Sequence, residues 1–89
     1  MSEPVWMPGD PRVVVYGKPG CHLCEDAERV VAQVCADRGE RWRTVDISGD
    51  VALMRVYGEQ LPVIFVDGAQ HDFWRVDADR LPAALRPTG

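Results

Sequence analysis

The sequence predicts a single α/β domain with the element order β-α-β-α-β-β-α, and three observations carry that expectation. A continuous β-branched run, Arg12 to Tyr16, precedes a segment whose apolar residues recur every three to four positions, and a second strand-like run, Arg41 to Ile47, follows it. The apolar run Leu61 to Val66 leads straight into Asp67-Gly68, a hairpin signature. A chain of 89 residues has room for one core only.

Composition sets the outer limits. With 46% hydrophobic and 27% charged residues the chain is that of an ordinary globular protein, and no apolar run approaches the length of a membrane span. A net charge of −4 argues against a nucleic-acid partner, which calls for a basic stripe. Met1 to Asp10 has neither the basic start nor the apolar stretch of an export signal. The expected compartment is therefore the cytoplasm, and an odd count of three cysteines fits reducing surroundings better than a secreted disulfide framework.

Residues 1–11 read as an N-terminal tail, because Pro4, Pro8, Gly9 and Pro11 block regular structure. Val5, Trp6 and Met7 in it either fold back onto the domain or dock a partner. The domain is expected over 12–86, with 87–89 a C-terminal tail. Arg12 to Tyr16 has the pattern of a central strand buried on both faces. Gly17-Lys18-Pro19-Gly20 breaks it, and a helix begins at or near Cys21.

In that helix Leu23, Ala27, Val30, Val31 and Val34 share one face, and Glu25, Asp26, Glu28 and Arg29 face solvent. Gly39 closes it. Cys35 lies beside Val31 and Val34 and reads as a small core residue. Arg41 to Ile47 offers Trp42, Val45 and Ile47 for burial, and the strand-helix-strand order implies parallel pairing through a right-handed crossover. Asp50 caps a short helix, Val51 to Tyr57, stopped by Gly58. Pro62 opens the third strand, and Asp67-Gly68 turns it into a fourth, antiparallel strand that extends to Trp74. Asp77 and Asp79 are possible caps of a last helix with Leu81, Ala84 and Leu85 as its apolar stripe, and Pro82, which belongs in a first turn, favours Asp79.

The chemistry sits at Cys21-His22-Leu23-Cys24. Two thiols three positions apart, at a strand-to-helix turn, suit reversible disulfide exchange. The same pair could serve as a zinc half-site. A closed zinc site needs four ligands, and Cys35 lies about three helical turns, roughly 16 Å, beyond Cys24. Cys35, His22 or His71 would have to converge on the pair, or two chains would have to share an ion or an iron-sulfur cluster.

Tyr16 to Cys24, Val45-Asp46-Ile47 and Leu61 to Gly68 together resemble the thioredoxin-fold superfamily and, within it, the small bacterial glutaredoxin-like proteins whose active-site turn reads C-x-L-C followed by acidic residues and Ala, as in Cys24-Glu25-Asp26-Ala27. The resemblance implies a four-stranded mixed sheet flanked by three helices. It implies a thiol-disulfide oxidoreductase, with Cys21 the exposed attacking sulfur and Cys24 the buried resolving one. It also implies a cis Leu61-Pro62 bond facing the sulfurs, where the Leu61 backbone receives an incoming chain.

Lys18, the only lysine, and His22 are the expected tuners of the Cys21 thiolate. Tyr16 is a candidate substrate-binding residue bordering the dithiol, although an aromatic at a strand end is more often core; Trp74 lines a groove or covers the sheet edge, and His71 is expected at the surface. No metal or resident cofactor is expected. The partners implied are a disulfide-containing protein or a glutathione mixed disulfide, with a reductase or glutathione as electron donor, acting on a monomer. Relatives that bind glutathione carry a Gly-Gly pair after the fourth strand, where this chain has Asp72-Phe73-Trp74-Arg75, so glutathione dependence is not expected to be strong. A thioredoxin-fold module that only binds a partner is the remaining alternative.

Overall fold

The structure, a computed structural model, describes residues 10–85. Val5, Trp6 and Met7, and the C-terminal residues 86–89, lie outside the described residues. The elements follow the expected order: β1 (Val13–Gly17), α1 (His22–Arg38), β2 (Trp42–Asp46), α2 (Val51–Tyr57), β3 (Val63–Val66), β4 (Ala69–Phe73) and α3 (Arg80–Ala84). The strands form one mixed sheet in the order β2-β1-β3-β4. β1 pairs parallel with β2 and antiparallel with β3, and β3 pairs antiparallel with β4.

The period of two along β1 and β3 sorts the core into two clusters. Val13, Val15, Ile64 and Val66 pack with Val31, Val34 and Cys35 of α1 and with Leu81 and Leu85 on α3 and at its end. Tyr16, Val63 and Phe65 point the other way and pack with Tyr57 of α2, Ile47 and Leu61. The sheet therefore carries α1 and α3 on one face and α2 on the other, which is why β1 and β3 read as unbroken apolar runs. Cys24 joins the second cluster from the first turn of α1.

Several local expectations are corrected. β1 runs through Gly17, which pairs with Asp46 and continues the strand one residue past Tyr16. β3 pairs from Val63, not Leu61, since Pro62 has no N–H to give the ladder. β4 stops at Phe73, and Trp74 follows with φ 66°, a left-handed backbone that cannot extend a strand. Asp67 and Gly68 have φ 53° and 85°, the two positive values a type I′ hairpin turn needs.

On α1, Leu23 is 42% exposed although its spacing fits the apolar face. Leu23 and Cys24 both fit the helical period, and Cys24 takes the inward position by packing in the second core cluster with Tyr16, Ile47 and Leu61. Gly39 closes α1 in the left-handed conformation, as expected, with φ 69°. At α3, Asp79 already has helical backbone and its side chain makes no cap bond. Asp77 caps instead, its Oδ1 accepting from the N–H groups of Asp79 at 2.8 Å and Arg80 at 3.1 Å. Pro82 does fall in the first turn of that helix.

Candidate active site

β1 ends at Gly17 and the turn 18–20 delivers the chain to Cys21, the N-cap of α1. Gly20 makes the turn with φ 74°, a conformation glycine adopts at no steric cost. Cys21 has extended backbone, and its Sγ accepts a hydrogen bond from the Cys24 N–H at 3.1 Å. The sulfur thus takes the place an oxygen usually holds at a helix N-cap. Cys21 and Cys24 are disulfide-bonded, with their Cα atoms 5.2 Å apart. Cys21 is half-buried, whereas Cys24 is only 2% exposed and sits in the core cluster of Tyr16, Ile47 and Leu61.

The approach of Cys24 to β1 depends on a residue that sequence reasoning missed. A Cβ on Gly17 would lie 3.2 Å from the Cys24 Sγ and 3.4 Å from its Cβ. Sequence reading took Gly17 for a simple turn residue. The available signal was its position, a glycine at the junction between a buried strand and the turn that carries the thiols.

The Leu61-Pro62 bond is cis. Leu61 is buried in the same cluster as Cys24, with Cys21 packed against that cluster, and Pro62 is fully buried. The Pro62 carbonyl accepts the Trp74 N–H at 2.8 Å, which ties the segment after β4 to the start of β3. Trp74 is held twice more, by its N–H to the Gln60 carbonyl at 3.3 Å and by its indole N–H to the Glu59 carbonyl at 2.9 Å. Its side chain lines a groove of about 320 Å³ against Leu23 and Val30 of α1.

The other candidates are distributed differently. Lys18 is exposed in the turn before Cys21. The His22 side chain is 94% exposed and faces Glu25 across 3.9 Å. Tyr16 is not a surface residue: at 3% exposure it packs against Phe65 and Tyr57, with ring centroids 4.7 and 5.5 Å away, so it supports the dithiol from the core and offers a substrate no contact area.

His71 is half-buried. β4 bulges there, with Ile64 opposite Asp72 and Phe65 opposite Gln70, and the His71 Nε2 atom is buried without a hydrogen-bond partner. Burial, helped by the charge of Arg80, lowers the His71 pKa, against the opposing pull of Asp72 and Asp77.

Cys35 lies in the other core cluster at 1% exposure, as expected of a small core residue. Burial, with the Glu40 charge adding to it, pushes its thiol up to about 11. Among the described residues no group of three His, Cys, Asp or Glu side chains is placed to hold a metal ion. None of the described helices is long and apolar enough to cross a membrane.

A family model described as Glutaredoxin-like domain (DUF836) matches residues 12–86. The chain belongs to this family. Solved proteins of similar structure include the target protein XcR50 of X. campestris, 34% identical with a TM-score of 0.69 over 82% of this chain and 93% of that one. Protein Ne2328 of Nitrosomonas europaea is 30% identical with a TM-score of 0.71, covering 83% of this chain and 91% of that one. The Mycobacterium tuberculosis protein Rv0508 is 31% identical over 80 residues, 84% of this chain and 82% of its own length.

A thioredoxin of Halobacterium salinarum aligns at a TM-score of 0.54 and 27% identity over 83% of this chain and 72% of that one. With these neighbours the mixed four-stranded sheet and three helices are a thioredoxin fold. In this glutaredoxin-like protein the Cys21–Cys24 pair occupies the strand-to-helix turn at the end of β1.

Proposed function

We propose that the protein is a thiol-disulfide oxidoreductase acting on disulfides of other proteins. The observation that carries this reading is the asymmetry of the pair: Cys21 caps a helix of 17 residues from a half-buried position, and Cys24 lies behind it in the core. When the pair is reduced, a thiolate on Cys21 receives the Cys24 N–H and the positive end of the helix dipole. Glu25 in the first turn opposes it.

Reduction of a substrate then proceeds in two exchanges. The Cys21 thiolate attacks one sulfur of the substrate disulfide, forms the mixed disulfide and expels the other sulfur as a thiolate. Cys24, losing its proton to solvent or to that thiolate, attacks the Cys21 Sγ and releases the second substrate sulfur. The protein ends as the Cys21–Cys24 disulfide and the substrate as two thiols. A thiol donor, either a reductase or glutathione, returns the pair to the dithiol. The backbone of Leu61, next to Pro62 and in the cluster that holds Cys24, is the proposed rest for the incoming chain.

The test is insulin reduction coupled in turn to thioredoxin reductase and to glutathione. The native protein is expected to turn over in at least one system, Cys21→Ser in neither, and Cys24→Ser is expected to accumulate a mixed disulfide detectable by mass. Full activity of Cys21→Ser would remove the mechanism.

A further inference from the structure

The groove beside the dithiol has two walls of different origin. Leu23 and Val30 form one, on the face of α1 next to the cysteines, and Trp74 and Val76 form the other, on the segment between β4 and α3. Leu23 lies between the two cysteines in sequence, so the mouth of the groove is within one helical turn of Cys21. Leu23 and Trp74 stay 42% and 53% exposed, an apolar surface left open next to the reacting sulfur.

Trp74 is not a loosely placed side chain. Its backbone takes φ 66°, which is rare for a bulky residue, and three hydrogen bonds to the Glu59, Gln60 and Pro62 carbonyls hold it there. An observed backbone outlier of this kind points to a functional constraint. A pinned but exposed indole has already lost its freedom before a ligand arrives, the property of a binding anchor.

Charge narrows the occupant. The groove carries one carboxylate, Asp26, and one guanidinium, Arg75, and Glu25 stands exposed on the same first turns of α1. A small ligand with two carboxylates finds one guanidinium in the lining, Arg75, against two nearby carboxylates, Glu25 and Asp26, the latter bound to Arg29. A neutral apolar side chain meets no such conflict.

Resting on the oxidoreductase reading above, we propose that this groove receives an apolar or aromatic side chain flanking the reacting cysteine of an extended polypeptide substrate, with Trp74 as the specificity-determining residue. The site thereby selects protein disulfides with an apolar neighbour over glutathione disulfide.

The experiment is single-turnover oxidation of the reduced full-length protein, followed by acid quench and mass. Three oxidants are compared: two symmetric disulfide peptides of equal length that place either Leu or Ser beside the cysteine, and glutathione disulfide. The Leu peptide is expected to react about tenfold faster than the Ser peptide and faster than glutathione disulfide. Trp74→Gly, which suits the positive φ, and Leu23→Ser on the opposite wall are each expected to bring the Leu-to-Ser ratio towards one.

A ratio near one in the native protein overturns the proposal, as does a ratio that both variants leave intact. A small uncharged disulfide, hydroxyethyl disulfide, separates the two readings. Reaction with it alongside a flat peptide ratio defeats the groove alone, and failure with every disulfide defeats the oxidoreductase reading and the groove with it.

Discussion

The contact between Gly17 and Cys24 is the tightest constraint on the dithiol. A methyl group at position 17 would stand 3.2 Å from the Cys24 Sγ, inside normal contact distance, and β1 is fixed on both sides by β2 and β3. The strand cannot yield, so Cys24 must shift by a few tenths of an ångström. Gly17→Ala is therefore expected to lower stability by about 1–2 kcal/mol through overpacking. It should slow the resolving exchange by about tenfold, because attack on the Cys21 sulfur depends on near-contact geometry. Quenched reactions of the variant should hold mixed disulfide at times when the native protein has already released product. Equal intermediate levels in the two would mean that Cys24 has room to spare.

Among the elements, α3 depends most on its ends. Its five residues are too few to be stable by their own hydrogen bonds, and it is held by Leu81 and Leu85 in the core and by the Asp77 carboxylate over its first N–H groups. The same backbone bonds hold the Asp77 pKa below the usual carboxylate range. Asp77→Ala is expected to lower the thermal midpoint by a few degrees, and Asp79→Ala by less, since the Asp79 side chain caps nothing. The reverse ranking would return the cap to Asp79. The sequence showed two aspartates at the right distance from Leu81, and only the backbone angles of residue 79 decide between them. The same limit applies to Leu23 and Cys24: both fit the helical spacing, and only the packing of Cys24 against Tyr16, Ile47 and Leu61 gives it the inward position. Where the period itself is unambiguous, as in β1, α1 and β3, and where a residue type has one common use, as Gly39 after a helix, the elements were legible to within a residue or two. The dithiol was legible because both thiols lie in one turn. Gly17 and the anchoring of Trp74 were not, since each depends on a close approach between elements that no local pattern encodes.

At the scale of the whole molecule, one guanidinium gathers the end of the sheet away from the dithiol. Arg12 donates to both Asp67 oxygens, at 2.8 and 2.9 Å, to Glu40 at 3.0 Å and to the Leu85 carbonyl at 3.2 Å. It thereby joins β1 to the β3–β4 turn, to the residue after the α1 cap and to the end of α3. Five strand residues separate it from the Gly17 end, about 16 Å of extended chain, so stability and redox chemistry are anchored at opposite ends of β1. The bonds from Arg12 hold the Asp67 carboxyl below its ordinary value, against a smaller opposing effect of burial. A depressed folded pKa means that the unfolded chain binds a proton more readily. The stabilisation is therefore complete above the unfolded value of about 3.9 and is lost as pH falls through the folded one. Asp67→Asn keeps a residue that tolerates φ 53°, and it should cost about 1–2 kcal/mol at pH 7, allowing for partial exposure of the pair. Urea unfolding at pH 7 and at pH 2–3 should show the native protein and the variant converging in acid, with their single-turnover rates equal at pH 7. A difference that stays constant across the titration would assign the loss to the turn and not to the ion pair.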